Sequence, residues 1–212
     1  MPGKAKQQPP MRERILQAAV EVFRERGVTK ATTKEIARAA GVSEGSLYNH
    51  FANKSALFGA TFGAVASGVA QVMRELMDSV GENTVEENLV RFAAAETEFY
   101  AELLPIVGPV LADRELLDWL QGDRPERSRG PLLGHAGLMG YLDAERDAGR
   151  LAPGARTPAI AAALLGACQH HAFTTRFAGA AAVEKIGRMH ADARAFAREL
   201  VPTILESQLP SG

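Results

Sequence analysis

The stretch TTKEIARAAGVSEGSLYNHF, residues 32–51, gathers side chains whose types and spacing suit hydrogen bonding to a polyanion. Thr32 and Glu35 stand at capping-box spacing, and Ser43 is a good N-cap. Two short helices are therefore expected, from Thr33 and from Glu44. Gly41 suits the left-handed stop of the first, and a three-residue turn separates the pair. Ile36, Ala37, Ala40, Val42, Leu47 and Phe51 form the apolar side, which leaves Gly45, Ser46, Tyr48, Asn49 and His50 facing outward. Gly45 lets the backbone approach a groove wall, Ser46 can serve several bases, and Asn49 can pair with an adenine edge. Tyr48 and His50 suit phosphate oxygens, as does Lys54 at the start of the next helix. Glu44 would repel phosphates, so it is expected to turn to solvent, the alternative being to accept from a cytosine amine. The spacing is that of a helix-turn-helix. A plain helical hairpin with a polar outer face is the simpler alternative.

Other chemistry is thinner. Phe92, Phe99, Tyr100, Leu103, Trp119 and Phe173 are candidates to line an apolar ligand pocket, although aromatics at helical spacing equally make ordinary core. In CQHH, residues 168–171, the adjacent histidines point about 100° apart on a helix and do not jointly chelate one ion. Cys168 has no nucleophile spacing pattern around it. His171 shares a stripe with Leu164 and Ala167, as a polar group in the pocket or at a dimer seam. No catalytic residue, metal ligand or cofactor is expected. A helical enzyme with a hairpin used for protein contact is the rival from another class, and it lacks any paired-carboxylate, metal-spaced or nucleophile–base motif.

The elements that must position these residues all read as helices, since period-2 alternation is absent and Ala, Leu, Glu and Arg dominate. Residues 1–11, ending near Pro9 and Pro10, read as a disordered arm. A helix over 11–26 stops at Gly27. A long helix starts from the N-cap Asn53 and runs to about Val80. Thr84 and Glu87 open a helix expected over 84–104, which Pro105 breaks before another reaches about Leu120. The Pro-, Gly- and charge-rich segment 122–131 reads as a loop, followed by helices over 131–149, 157–178 and 182–208. On the last, Ile186, Met189, Ala193, Phe196, Ala197, Leu200 and Ile204 share a face. The expected class is all-α: a helix-turn-helix head, residues 12–57, joined to a larger helical body, residues 58–212.

Charge separates these parts. The chain of 212 residues is nearly neutral at −1, yet residues 1–57 carry +5 and the remainder −6. A basic head on an acidic body points to a polyanionic partner for the head alone. One cysteine excludes an intrachain disulfide. The amino-terminal segment has no apolar h-region, and no apolar run reaches the ~18 residues a membrane span needs, so a cytoplasmic protein without a membrane partner is expected.

The run TTKEIARAAGVSEGSLYNHFANKSALF resembles the signature of the TetR family of bacterial transcriptional regulators, over roughly residues 12–60. Thr33, Ile36-Ala37, Gly41-Val42-Ser43, Gly45, Leu47-Tyr48, His50-Phe51, Lys54 and Leu57 all stand at pattern positions. The resemblance implies a three-helix head on a helical, dimeric, ligand-sensing body, so that residues 58–212 are the ligand-binding and dimerisation part. It implies that Thr33, Tyr48, His50 and Lys54 hold phosphates while Ser43, Gly45, Ser46 and Asn49 face the groove; with Lys34 these make the expected DNA-contact set. It implies further a homodimer joined through residues 157–178 and 182–208, a palindromic double-stranded operator, and a small-molecule effector. Control by a protein partner is the alternative.

Overall fold

The computed structural model describes residues 9–112, 114, 117–118, 130–206 and 208–209, and every regular element among them is a helix. In chain order these are α1 (Met11–Arg26), α2 (Thr33–Ala39), α3 (Glu44–His50), α4 (Lys54–Asp78), α5 (Val85–Ala112), α6 (Gly130–Asp147), α7 (Thr157–Ala178), α8 (Ala180–Lys185) and α9 (Ala193–Leu205). Most of the expected arm, most of the loop at 122–131, and Trp119 lie outside the described residues.

The chain divides into two compact units. The first takes Met1–Val65 together with Pro105–Gln121. Its core is built by Ile15, Ala19 and Phe23 of α1, Ile36 and Ala37 of α2, Leu47 of α3, and Leu57 and Phe58 of α4. Local chemistry sets the ends of its helices. Thr32 Oγ1 accepts from Glu35 N, and Thr32 N donates to Glu35 Oε2 at 3.0 Å, the reciprocal capping box. At the other end of α2, Arg14 Nη2 donates to Ala40 O at 2.6 Å, and Gly41 turns the chain with φ +66°. A Cβ at Gly41 would stand 3.2 Å from that same guanidinium, so backbone and neighbour both favour glycine here.

Ile106 and Val110, from far along the chain, complete this first core at 0% and 1% exposure. They belong to α5, which runs unbroken through Pro105 and Pro109 where a break at Pro105 was expected. Each proline forfeits an N–H and costs about 3 kcal/mol in a helix interior. Burying Ile106 and Val110, at roughly 1.5–3 kcal/mol each, offsets a large share of that cost.

The second unit takes Ala66–Leu104 and Gly122–Gly212. Leu89, Phe92 and Ala93 of α5, Leu138, Tyr141 and Leu142 of α6, Leu164 and Cys168 of α7, and Ala197, Val201 and Leu205 of α9 share its core. Asn88 Nδ2 donates to Ser79 O at 3.0 Å and to Glu82 O at 2.9 Å, which pins the α4–α5 turn.

The single helix expected over 182–208 is two. α8 ends at Lys185, Arg188 takes φ +51°, and Asp192 caps α9 by accepting from Ala195 N at 2.8 Å. An aspartate offering its carboxylate to free N–H groups starts a helix rather than continuing one. The expected stripe divides accordingly: Phe196 and Ala197 are buried core, while Ile186 is 81% exposed.

α4 is long and apolar enough to cross a membrane by length and composition, its most apolar stretch having mean hydropathy 1.5, although no strictly apolar run reaches that length. Gly, Ala, Ser and Thr interrupt a run of large apolar residues without adding much polarity. In the fold its Leu57, Phe58 and Thr61 are buried in the first unit.

Candidate nucleic-acid interface

α3 is held by Leu47, fully buried, and presents Gly45, Asn49 and His50 as exposed residues, with Tyr48 46% exposed. Lys34 at the start of α2 and Ser43 at the α3 N-cap are exposed as well, and Ser46 is half-buried. Ser43 Oγ accepts from Ser46 N at 3.0 Å, and the two hydroxyls lie 2.8 Å apart. Both serines are thus engaged in capping, with their remaining hydrogen-bonding capacity at the exposed helix start. Asn53 Oδ1 accepts from Ala56 N at 2.7 Å and opens α4, where Lys54 Nζ donates to Thr29 O at 3.2 Å.

Thr33 and Glu44 stand differently from the expectation. Thr33 is only 9% exposed, and its hydroxyl donates to Glu44 Oε1 at 2.6 Å, with the Tyr48 hydroxyl 3.2 Å away. Glu44 is thus half-buried with one oxygen engaged: it braces α3 against α2, with the Tyr48 hydroxyl beside that contact. A carboxylate accepting a short charge-assisted bond is a strong local tie. Thr33 is left with its N-terminal backbone N–H, rather than its hydroxyl, as the group available to a phosphate. Behind this face, Arg12 lies over the Phe51 ring at 5.3 Å. Glu35 accepts from the Thr32 backbone and hydroxyl, which hold its carboxyl below the usual range, helped by Arg26 and Arg38.

Against this geometry the chain was compared with known proteins. Residues 15–61 match the description "Bacterial regulatory proteins, tetR family". Over those residues the chain is similar to the TetR family. The chain is 53% identical over 47 residues to the transcriptional repressor BepR of Brucella suis, a match covering 22% of each chain. The curated relatives it matches are covered over about a quarter of their length or less. Likeness over the whole chain is one of fold. A structure from Mesorhizobium loti assigned to the TetR-family regulators has TM-score 0.71 at 22% identity, covering 94% of this chain and 97% of that one. The regulator FadR from Bacillus subtilis, solved in complex with stearoyl-CoA, has TM-score 0.66 at 20% identity, with 92% and 98% covered.

The candidate ligand residues separate into three groups by exposure. Phe92 is 3% exposed, whereas Phe99, Tyr100 and Leu103 are half-buried on α5, with the Phe99 and Tyr100 rings 5.7 Å apart. His171 is buried: its ring stacks on Phe196 at 4.3 Å, and Nε2 lies 2.7 Å from His190 O. Phe173 is 51% exposed and stacks on Phe177, itself 83% exposed, so it lies on the outside of α7 and lines no interior. A cavity of about 110 Å³ between α4 and α5 is bordered by Val72, Glu75, Leu76, Arg91 and Phe92; of the expected ligand residues it takes only Phe92. Cys168 is fully buried and donates to Ala93 O at 3.5 Å, and burial pushes its thiol up to about 11, which suits a structural residue.

Sequence reasoning missed Glu96. It stands four residues from both Phe92 and Tyr100, in the middle of the aromatic stripe, and that spacing was the available signal. Its carboxyl is 2% exposed, and burial pushes it up to about 7. Between about 4.5 and 7 the folded chain keeps a proton that the unfolded chain releases. Stability therefore falls as pH rises through that window, and above it the burial cost is fully present. Glu96→Gln is expected to stabilise the chain by about 3 kcal/mol at pH 8 and by little near pH 4.5. Thermal melts at both pH values check this, and an equal shift at the two would contradict it.

Proposed function

We propose that the chain is a homodimeric, ligand-responsive regulator of transcription. It binds a palindromic double-stranded operator through α2 and α3 and releases it when a small apolar or amphipathic molecule enters the body. The observation that carries this reading is the outer face of α3, where Gly45, Tyr48, Asn49 and His50 stand exposed around the buried anchor Leu47. Repression is favoured by the shared head with a relative named as a repressor. A second copy suits the exposed Phe173 and Phe177 of α7, with Ile186 beyond α8, as an apolar seam, and a dimer matches two half-sites. Ligand and operator act by population shift, each binding better to a different arrangement. The chain works in the cytoplasm, without a membrane partner.

Control by a protein partner is the second reading. It is favoured by the small size of the α4–α5 cavity, about 110 Å³, against the several hundred Å³ usual for a drug-sized ligand.

A gel shift on the DNA flanking the chain's own gene tests the main reading, and failure to retard any such fragment would count against it. Two substitutions sharpen the test. Lys54→Ala is expected to weaken binding on all sequences and to lower the salt slope by about one. Asn49→Ala is expected to relax preference at one base position, at about 1–3 kcal/mol. Anisotropy titrations on operator and scrambled DNA separate the two, and a uniform loss for Asn49→Ala would refute its base-reading role.

A further inference from the structure

Phe92, Glu96, Phe99, Tyr100 and Leu103 follow one another on a single face of α5, four, three, one and three residues apart. Two polar donors packed beside this face are already used. Thr97 Oγ1 donates to Ala93 O at 2.8 Å, and Cys168 Sγ reaches the same carbonyl from α7. Glu96 Oε1 is buried and has no hydrogen-bond partner. Among the described residues no Lys, Arg or His pairs with its carboxylate. Tyr100 lies close by: burial, then the nearness of Glu96 and Cys168, pushes its phenol up.

A buried carboxyl without a partner is costly in either state. Neutral, it leaves acceptor capacity unmet; ionised, it is an uncompensated charge in a low dielectric. A cation delivering N–H donors relieves both costs at once, and part of the carboxyl's desolvation has already been met by folding. A neutral alcohol relieves only the first, and an anion would be repelled. The half-buried rings of Phe99 and Tyr100, next along the face, offer apolar and cation–π surface to the rest of such a molecule.

We propose that Glu96 is the polar anchor of the body's ligand site, and that the site takes a small apolar molecule carrying a protonated amine. This rests on the ligand-responsive reading above and names the effector class, one distinct from the acyl thioester in the complex of the Bacillus subtilis regulator.

Three probes with one tail and different heads test it: n-octylamine, 1-octanol and n-octanoate, titrated calorimetrically into the full chain at pH 7. Octylammonium is expected to bind about tenfold or more tightly than octanol, with octanoate weakest. Glu96→Gln is expected to remove that preference while leaving octanol affinity within about twofold. At pH 6 the amine is expected to displace a proton from Glu96, seen as a binding enthalpy that varies with buffer and becomes buffer-independent in Glu96→Gln. Absent octylammonium binding, equal affinity for amine and alcohol, or an amine preference that survives Glu96→Gln overturns the proposal. Operator release followed in parallel separates the two readings. Release by octanol or octanoate with the amine inert removes the Glu96 anchor and leaves the regulator standing. Glu96-dependent amine binding by a chain that binds no operator supports the anchor and removes the regulator.

Discussion

Replacing Phe23 with alanine is expected to destabilise the helix-turn-helix head by about 3–5 kcal/mol, because the ring is fully buried and deleting it leaves a cavity that helices on all sides must collapse to fill. Phe23 sits edge-on to Phe58 with ring centroids 6.0 Å apart at 64°, which joins α1 to the first turns of α4. Around them the core is small, so no second layer of side chains is at hand to take up the space. A loss of that size is a large fraction of the ~5–15 kcal/mol that holds an ordinary domain folded. For a chain of this length the unfolding transition should fall by roughly 6–20 °C. On the proposed function, operator affinity should fall with it, since α3 takes its orientation from the same core. Calorimetry and anisotropy on the full chain check both effects. A transition that stays within a degree of the parent would show that Phe23 is not a keystone of this core.

The second large effect lies in the body. Glu145 is fully buried and pairs with Arg150, Nε to Oε2 at 3.1 Å, while Gly81 N points to its other oxygen at 3.4 Å. Arg150 also donates to Asn83 O at 2.6 Å and Glu82 O at 3.2 Å, so one guanidinium neutralises a carboxylate and closes the α4–α5 turn. Arg150→Ala is expected to cost about 3–5 kcal/mol, most of it from leaving the Glu145 charge uncompensated. The cause can be isolated. If stranded charge dominates, adding Glu145→Gln to Arg150→Ala should recover a good part of the loss; if the lost bonds to Glu82 and Asn83 dominate, it should recover none. Urea unfolding of the parent, both single variants and the double variant measures the coupling, and an Arg150→Ala cost below about 1 kcal/mol would contradict the assignment.

Much of the head was legible before folding because its signals are local. The capping box at Thr32 and Glu35, the left-handed glycine at 41 and the N-cap at Ser43 each act over a few neighbouring residues, and the structure shows all three. The carboxylate of Glu44 was not legible. Its neighbours in sequence suggest solvent or a base, and only the approach of α3 to α2 brings Thr33 within 2.6 Å of it. Along the body, α7 spans the expected residues, whereas Pro105 failed as a stop and the last expected helix proved to be two. Phe173 was grouped with Phe92 on residue type alone. One lies outside and the other in the core, a distinction that aromatic character does not carry.

The sequence by itself determined the α-helical class, the helix-turn-helix at residues 33–50 and the outward set on α3, since propensity, capping and periodicity operate over one or two turns. Tertiary structure decided what happens across longer separations. It carried α5 through two prolines into the head core, brought the Glu44 carboxylate onto the Thr33 hydroxyl, and enclosed Glu96 Oε1 with no hydrogen-bond partner among the described residues. Each of these balances a local cost against burial or contact with a distant segment, and that balance is not written in any one stretch of residues.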